Sequence, residues 1–196
     1  NFLAGKSSLN RFMYYKLFEC GVWESAFNSN LKEYCYDIQK RKKGRTVSNI
    51  LGWQSNDLDL SSKSLKPLIS HIEEQTNQFS KLYVNSHFKM MNMWININPP
   101  GGSNRTHTHP NSMFSGVYYV STPKNCGNIV FQRPDIQLQL SYTSKYGVVD
   151  GSNGNPINSP EWWKPSKQNT CYIFPSFMSH WVEPNCSKED RISLSF

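Results

Sequence analysis

From Met91 onward the chain changes its period. Met91, Met93, Ile95 and Ile97 alternate with Asn92, Trp94, Asn96 and Asn98, the pattern of a pleated strand that buries one face against apolar neighbours. Pro99-Pro100-Gly101-Gly102 ends the run, because proline removes a backbone donor and glycine enters turns freely. Further short strands are predicted at 113–120, 127–132, 136–142, 169–174, 179–182 and 190–196, with turn-forming residues between them, above all over 150–160. A succession of short strands and turns restricts the fold to a sandwich or barrel, and the jelly roll is its natural member here.

Before residue 85 the spacing is helical. Phe12, Tyr15, Phe18, Val22, Trp23, Phe27, Leu31, Tyr34 and Ile38 recur mainly by threes and fours, with Gly21 and Asn28 as breaks and Gly44 as a stop. A second helix is predicted from Ser64 to Leu82, with Pro67 in its first turn and Leu68, Ile69, Ile72 and Phe79 on one face. Residues 46–60 read as a loop or short extended segment. The expected fold class is mainly β with N-terminal helices. A single domain over 1–196 would use 1–85 as mainly helical support for a jelly-roll (double-stranded β-helix) core over 86–196.

Composition narrows the class. Aromatics at 14% and charged residues at 18% describe a chain that can build a core and argue against disorder. The five cysteines are odd in number and lack CxxC spacing, so free thiols and a cytoplasmic setting (of a cell or an infected host) are expected. No apolar stretch approaches 18 residues, so no membrane span is expected. The chain does not begin with Met and stops inside a strand-like run, which leaves further residues open at both ends. Within the net charge of +7, the densest cluster is Lys40, Arg41, Lys42, Lys43 and Arg45. A solvated helix end accounts for such a run; contact with nucleic acid or an acidic partner is the weaker reading.

Chemistry concentrates in a few residues. His107 and His109 are two apart, so in an extended chain they point to one side. His180 lies between two strand-like runs, and three imidazoles on one face suit Fe(II) while leaving coordination positions open. Arg191 follows His180 by eleven residues and, with Ser193 on the same strand face, can hold a carboxylate in bidentate fashion. Asn96 and Asn98 also share a strand face, an uncommon use of a poor strand residue. Tyr118 and Tyr119 point opposite ways, so only one of them can face such a site. Incidental histidines, and an Arg191 paired with Glu189 or Asp190, are the bland alternatives.

These residues and their order resemble the 2-oxoglutarate/Fe(II)-dependent oxygenase superfamily, which uses an H-x-D/E pair, a distal histidine and a basic residue about ten positions on. Ser115-Gly116-Val117-Tyr118-Tyr119-Val120, Gly127-Asn128-Ile129-Val130-Phe131 and Phe174-Pro175 resemble its flanking strands. With His107-Thr108-His109-Pro110, Gly52-Trp53-Gln54-Ser55 and the Arg191–Phe196 strand, the chain resembles the small prolyl-hydroxylase-like oxygenases of bacteriophages and marine bacteria. The resemblance implies Fe(II) held by His107, His109 and His180. It implies 2-oxoglutarate anchored by Arg191 and Ser193 and contacted by Asn96, Asn98 and Tyr118, with O2 as oxidant. The implied reaction hydroxylates a primary substrate, a peptidyl residue or small molecule, with release of succinate and CO2.

One position departs from the pattern: His109 stands where the superfamily has a carboxylate. Three readings are open. His109 ligates the iron, or it supports a site of two histidines and water, or one of Asp135, Asp150 and Glu161 reaches in. A cupin-type metalloprotein and a non-catalytic jelly-roll module remain as rival classes.

Overall fold

The computed structural model describes residues 20–84, 86–135 and 159–196. In chain order its elements are β1 (Trp23–Ala26), α1 (Lys32–Arg41), β2 (Asn49–Ile50), β3 (Trp53–Gln54), α2 (Lys66–Ser80), β4 (Trp94–Asn98), β5 (Ser103–His107), β6 (Phe114–Ser121), β7 (Asn128–Gln132), β8 (Glu161–Pro165), β9 (Thr170–Pro175), β10 (His180–Val182) and β11 (Arg191–Ser195). The strands form two antiparallel sheets, one ordered β1-β9-β6-β11-β4-β3 and the other β2-β5-β10-β7-β8. Strands β4 to β7 alternate between the sheets, as do β8 to β11, which is the winding of a jelly-roll core.

Alternation along each strand builds the larger sheet. On β4, Ile95 and Ile97 turn to the helices while Trp94, Asn96 and Asn98 turn to the other sheet. On β11, Ile192 and Leu194 join the helix-side core and Arg191 and Ser193 face inward. The helix-side core also takes Tyr118, Val120, Cys171 and Ile173 from β6 and β9, packed with Leu68, Ile72 and Phe79 of α2. Each such apolar side chain contributes about 1.5–3 kcal/mol by leaving water. Between the sheets lies a second cluster, Val117, Tyr119, Ile129, Phe131, Tyr172, Phe174 and Met178. This larger sheet is therefore buried on both faces, while the inner face passes from apolar at one end to polar at the other.

The Pro99–Gly102 turn is a type II turn. The Gly102 N–H donates to the Pro99 carbonyl at 2.7 Å, and Gly101 takes φ +82°, as its third position requires. It carries the chain from β4 in one sheet to β5 in the other.

Several elements differ from the expectations. Trp23–Ala26 is a strand rather than helix: it pairs with β9, and Trp23 and Ser25 reach Gln75 and His71 of α2. The hydrogen-bonding edge of β9 outweighs the local three-and-four spacing there. Among the described residues the first helix is Lys32–Arg41, with Cys35 buried and Lys40 and Arg41 in its last turn; the helical spacing carried by Phe12, Tyr15 and Phe18 lies outside the described residues. Strand β8, in which Trp162 and Trp163 pair with Phe131 and Val130, is not among the predicted strands. The predicted strand at 136–142, and Asp150 with most of the turn-rich 150–160 region, lie outside the described residues. All five thiols are free, and among the described residues no helix is long and apolar enough to cross a membrane.

Candidate metal centre and its cavity

His107 ends β5 and His180 begins β10, and the antiparallel register places them opposite one another. His109 lies two residues past the strand end, where its backbone N–H donates to the Ser176 carbonyl at 3.0 Å. Thr106 and Thr108 are exposed while His107 and His109 turn inward, as the two-residue period dictates. One ring nitrogen from each of the three histidines lies within 4.8 Å of the others. The trio could therefore hold a metal ion.

Two of the rings are oriented by the same local device. His107 Nδ1 bonds the Arg105 carbonyl at 2.7 Å, and His180 Nδ1 bonds the Met178 carbonyl at 2.9 Å. A carbonyl only accepts, so each Nδ1 carries the proton and each Nε2 keeps its lone pair free to ligate. Burial holds all three imidazoles below their ordinary range. His180 is pushed down to about 3 and His109 to about 4, with the neighbouring His107 adding to both effects, and His107 is lowered too. At neutral pH the trio is uncharged, the form that binds a cation.

Of the carboxylates considered as substitutes, Asp135 is paired with Arg133 at 2.5 Å and Glu161 is exposed on β8. Neither joins the cluster. Among the described residues the only carboxylate lining the cavity around the histidines is Asp57, and it is engaged by Arg45 at 2.9 Å.

The opposite wall of this cavity, about 480 Å³ in volume, comes from the larger sheet. Arg191 pairs in register with Asn98, and Ser193 with both Asn96 and Tyr119. The Arg191 side chain is 1% exposed. Its Nη1 donates to the carbonyls of Cys126 and Glu183, not to Glu189 or Asp190; Asp190 instead accepts from Tyr36 at 3.0 Å. Burial lowers the Arg191 pKa, against the pull of Tyr119, Cys126 and Glu183, yet a guanidinium stays charged in a protein.

Arg191 Nη2, Tyr119 Oη, Asn96 Oδ1, Asn98 Oδ1 and Gln54 Oε1 are all buried without a hydrogen-bond partner, and all five residues line this cavity. Ser166 lies near Tyr119, but its hydroxyl is outside hydrogen-bonding geometry and is itself unpartnered. A buried unsatisfied polar atom costs about 1–3 kcal/mol and is rare in folded proteins. With Arg45 Nε, likewise unpartnered on a residue lining the cavity, six such atoms mark a place built for a polar guest. A cation donor on one wall and three metal-ready imidazoles on the other suit a small dicarboxylate bridging the two.

The expectation for Tyr118 is corrected. Its hydroxyl reaches Ser29 Oγ at 2.8 Å, the Phe27 carbonyl at 2.9 Å and Asn169 Oδ1 at 3.0 Å on the helix side, so Tyr119 faces the cavity instead. Asn96, Asn98, Arg191 and Ser193 stand where the strand alternation puts them. Gln54 and Arg45 were not anticipated as site residues; the only hint of Gln54 was its place in Gly52-Trp53-Gln54-Ser55. Of the aromatics near the motifs, Trp94 and Tyr119 line the cavity, whereas Trp162, Trp163 and Trp181 do not.

A family model described as "Putative 2OG-Fe(II) oxygenase" matches residues 92–196, the stretch from β4 to β11. No curated protein matches the chain. Among solved structures, a prolyl-4-hydroxylase from Pseudomonas putida is 16% identical, with 90% of each chain covered and a TM-score of 0.60. The non-heme alpha ketoglutarate dependent carbocyclase SnoK from nogalamycin biosynthesis is 12% identical, covering 90% of this chain and 78% of its own, with a TM-score of 0.62. HygX from Streptomyces hygroscopicus, solved with nickel and 2-oxoglutarate bound, is 10% identical over 90% of this chain and 82% of its own, with a TM-score of 0.56. At these identities the likeness is one of fold.

Proposed function

The chain belongs to the 2OG-Fe(II) oxygenase family, and on that premise we propose that it is a hydroxylase using 2-oxoglutarate as cosubstrate, with a peptidyl residue or small molecule as primary substrate. The family's metal is Fe(II). His107, His109 and His180 hold it through their free ring nitrogens, so that His109 takes the place of the usual carboxylate. This makes the site one positive charge richer than an H-x-D centre. Bound Fe(II), with 2-oxoglutarate and O2, supplies the oxidising power that inserts one oxygen into a C–H bond while the cosubstrate leaves as succinate and CO2.

The chain's own residues position and shield. Arg191 Nη2 and the Ser193 hydroxyl bind the distal carboxylate of the cosubstrate, and Tyr119 Oη donates a further hydrogen bond. Arg191 is held rigid from behind by the Cys126 and Glu183 carbonyls, so little side-chain entropy is lost when the carboxylate arrives. Asn96 is oriented by its Nδ2 donating to Ser195 Oγ at 2.9 Å, which turns its oxygen toward the cavity. Val117, Ile129 and Phe174 form the apolar floor that excludes water from the reacting end.

The observation that carries this reading is the set of unpartnered buried polar atoms facing the histidine trio across one cavity. The experiment that tests it is succinate release from 2-oxoglutarate with Fe(II), screened against peptide, nucleotide and metabolite pools. Substrate-stimulated succinate, with a product heavier by one oxygen, supports the hydroxylase. Stimulated succinate without oxygen insertion points to another outcome of the same chemistry. No 2-oxoglutarate binding and no succinate favours a cupin-like or non-catalytic role.

A further inference from the structure

The basic run of the sequence ends at the mouth of the cavity. Arg45 lines the cavity together with Trp94, Asp57 and Arg105, and the exposure of Asp57 and Arg105 puts this group at the solvent side. The Arg45 backbone N–H donates to the Gln54 carbonyl at 2.8 Å, fixing the residue beside β3. Its guanidinium carbon lies 5.9 Å from the centre of the Trp94 ring, and that ring lies 5.8 Å from the ring of His109. A cation, an indole and a candidate metal ligand thus follow one another from the rim inward.

Among the described residues Arg45 has one ion pair, to Asp57 at 2.9 Å, and its Nε is buried without a partner. Arg105 comes from β5, two residues before His107, and is exposed. Its backbone N–H bonds the Ser48 carbonyl at 2.8 Å, but its side chain has no ion pair among the described residues. The mouth therefore offers two guanidinium groups against one carboxylate. The third arginine of the cavity, Arg191, lies at its deep end.

A surface ion pair alone contributes little and gives no reason for the place of Arg45 over Trp94 or for a second arginine lining the same cavity. A planar guanidinium held over an indole is pre-organised for a planar or tetrahedral oxyanion. We propose that the Arg45–Trp94–Arg105 mouth is a subsite for an oxyanion, carboxylate or phosphate, carried by the primary substrate. The proposal rests on the reading of this cavity as the active site, with Arg191 reserved for the cosubstrate.

The test titrates the protein with inorganic phosphate and, separately, with N-acetylaspartate. Each titration follows the Trp94 indole N–H resonance, assigned with Trp94→Phe. A saturable shift is expected, weakened about tenfold or more in Arg45→Gln and in Arg105→Gln, since charge-assisted contacts are lost. Lys42→Gln and Lys43→Gln remove the same charge from exposed positions outside the cavity and should leave the titration unchanged. Saturation by phosphate alone identifies a phosphorylated substrate, and saturation by the carboxylate alone an acidic one. Absence of a saturable shift overturns the subsite, as does equal weakening by the lysine variants. Binding of 2-oxoglutarate, measured on the same samples by calorimetry, separates the two readings. If it is retained in the arginine variants while the oxyanion is lost, both readings stand. If it is absent from the wild type while the oxyanion binds at Trp94, the subsite survives and the cosubstrate reading falls.

Discussion

His107 and His180 face each other as direct partners across antiparallel strands β5 and β10, with ring centroids 4.3 Å apart. Each is oriented by its own Nδ1 bonded to the carbonyl two residues earlier in the chain. Cross-strand partners are separated by the spacing of the sheet itself, so this half of the site needs no loop to assemble. His109 is different, because it lies beyond the strand and is tied by its backbone to Ser176.

That contrast makes His109 the decisive ligand to remove. His109→Ala should weaken Fe(II) affinity about 100-fold or more, given that losing even a supporting residue behind a ligand typically costs about 10–100-fold. Co(II) titration followed by its visible bands reads this directly. An unchanged affinity assigns the metal to His107 and His180 alone.

Arg191→Lys keeps the charge but loses the planar fork, and should raise the dissociation constant for 2-oxoglutarate about tenfold. It also strips the Cys126 and Glu183 carbonyls of their donor, so urea unfolding should show a loss of about 1–3 kcal/mol. Normal 2-oxoglutarate affinity in this variant places the anchor elsewhere.

The two adjacent tyrosines should separate stability from binding. Tyr118→Phe removes the hydroxyl shared by Ser29, Phe27 and Asn169 and should cost about 1–3 kcal/mol with 2-oxoglutarate affinity intact. Tyr119→Phe removes an unpartnered hydroxyl, so stability should hold while 2-oxoglutarate binding weakens. The reverse pattern would contradict the assignment of faces.

The metal-free protein should lose stability in mild acid. His109 and His180 have folded-state pKa values lowered to about 4 and about 3, chiefly by burial, while in the unfolded chain they titrate near 6.5. The unfolded state therefore binds more protons between these limits, so stability is complete above about pH 6.5 and falls as pH drops toward 4. Thermal midpoints from pH 7 to 5 check this, and a flat profile refutes it. Saturating metal should raise the whole curve without removing its slope, because the ion binds the neutral histidines of the folded state while the unfolded chain still takes up protons.

Gly127→Ala should destabilise by about 1 kcal/mol or more. Gly127 takes φ +82°, and an added Cβ would meet the Glu183 and Pro184 carbonyl oxygens at 2.8 Å. Since Glu183 also receives Arg191, 2-oxoglutarate titration of this variant should show weaker binding as well.

Much of the site was legible because strand alternation is a local property. The placing of Asn96 and Asn98 opposite Ile95 and Ile97, the common side of His107 and His109, and the joint face of Arg191 and Ser193 all follow from a period of two. The α2 helix was legible from its apolar stripe and Pro67. Trp23–Ala26 was not, since its strand exists only because β9 offers an edge to pair with. Gln54 and Arg45 carried no periodic signal; a two-residue strand and an isolated bridge to it bring them to the cavity.

The sequence by itself determined which residues share a face within each strand and the order in which the histidines and arginine occur. Only the tertiary structure decided that His180 lies against His107, that Tyr119 rather than Tyr118 turns inward, and that the basic run finishes at the mouth of the site. The reason is physical: side-chain direction is set by the backbone of a few neighbouring residues. Register, the choice of buried face and the meeting of two sheets depend on hydrogen bonds and apolar contacts between residues far apart in the chain.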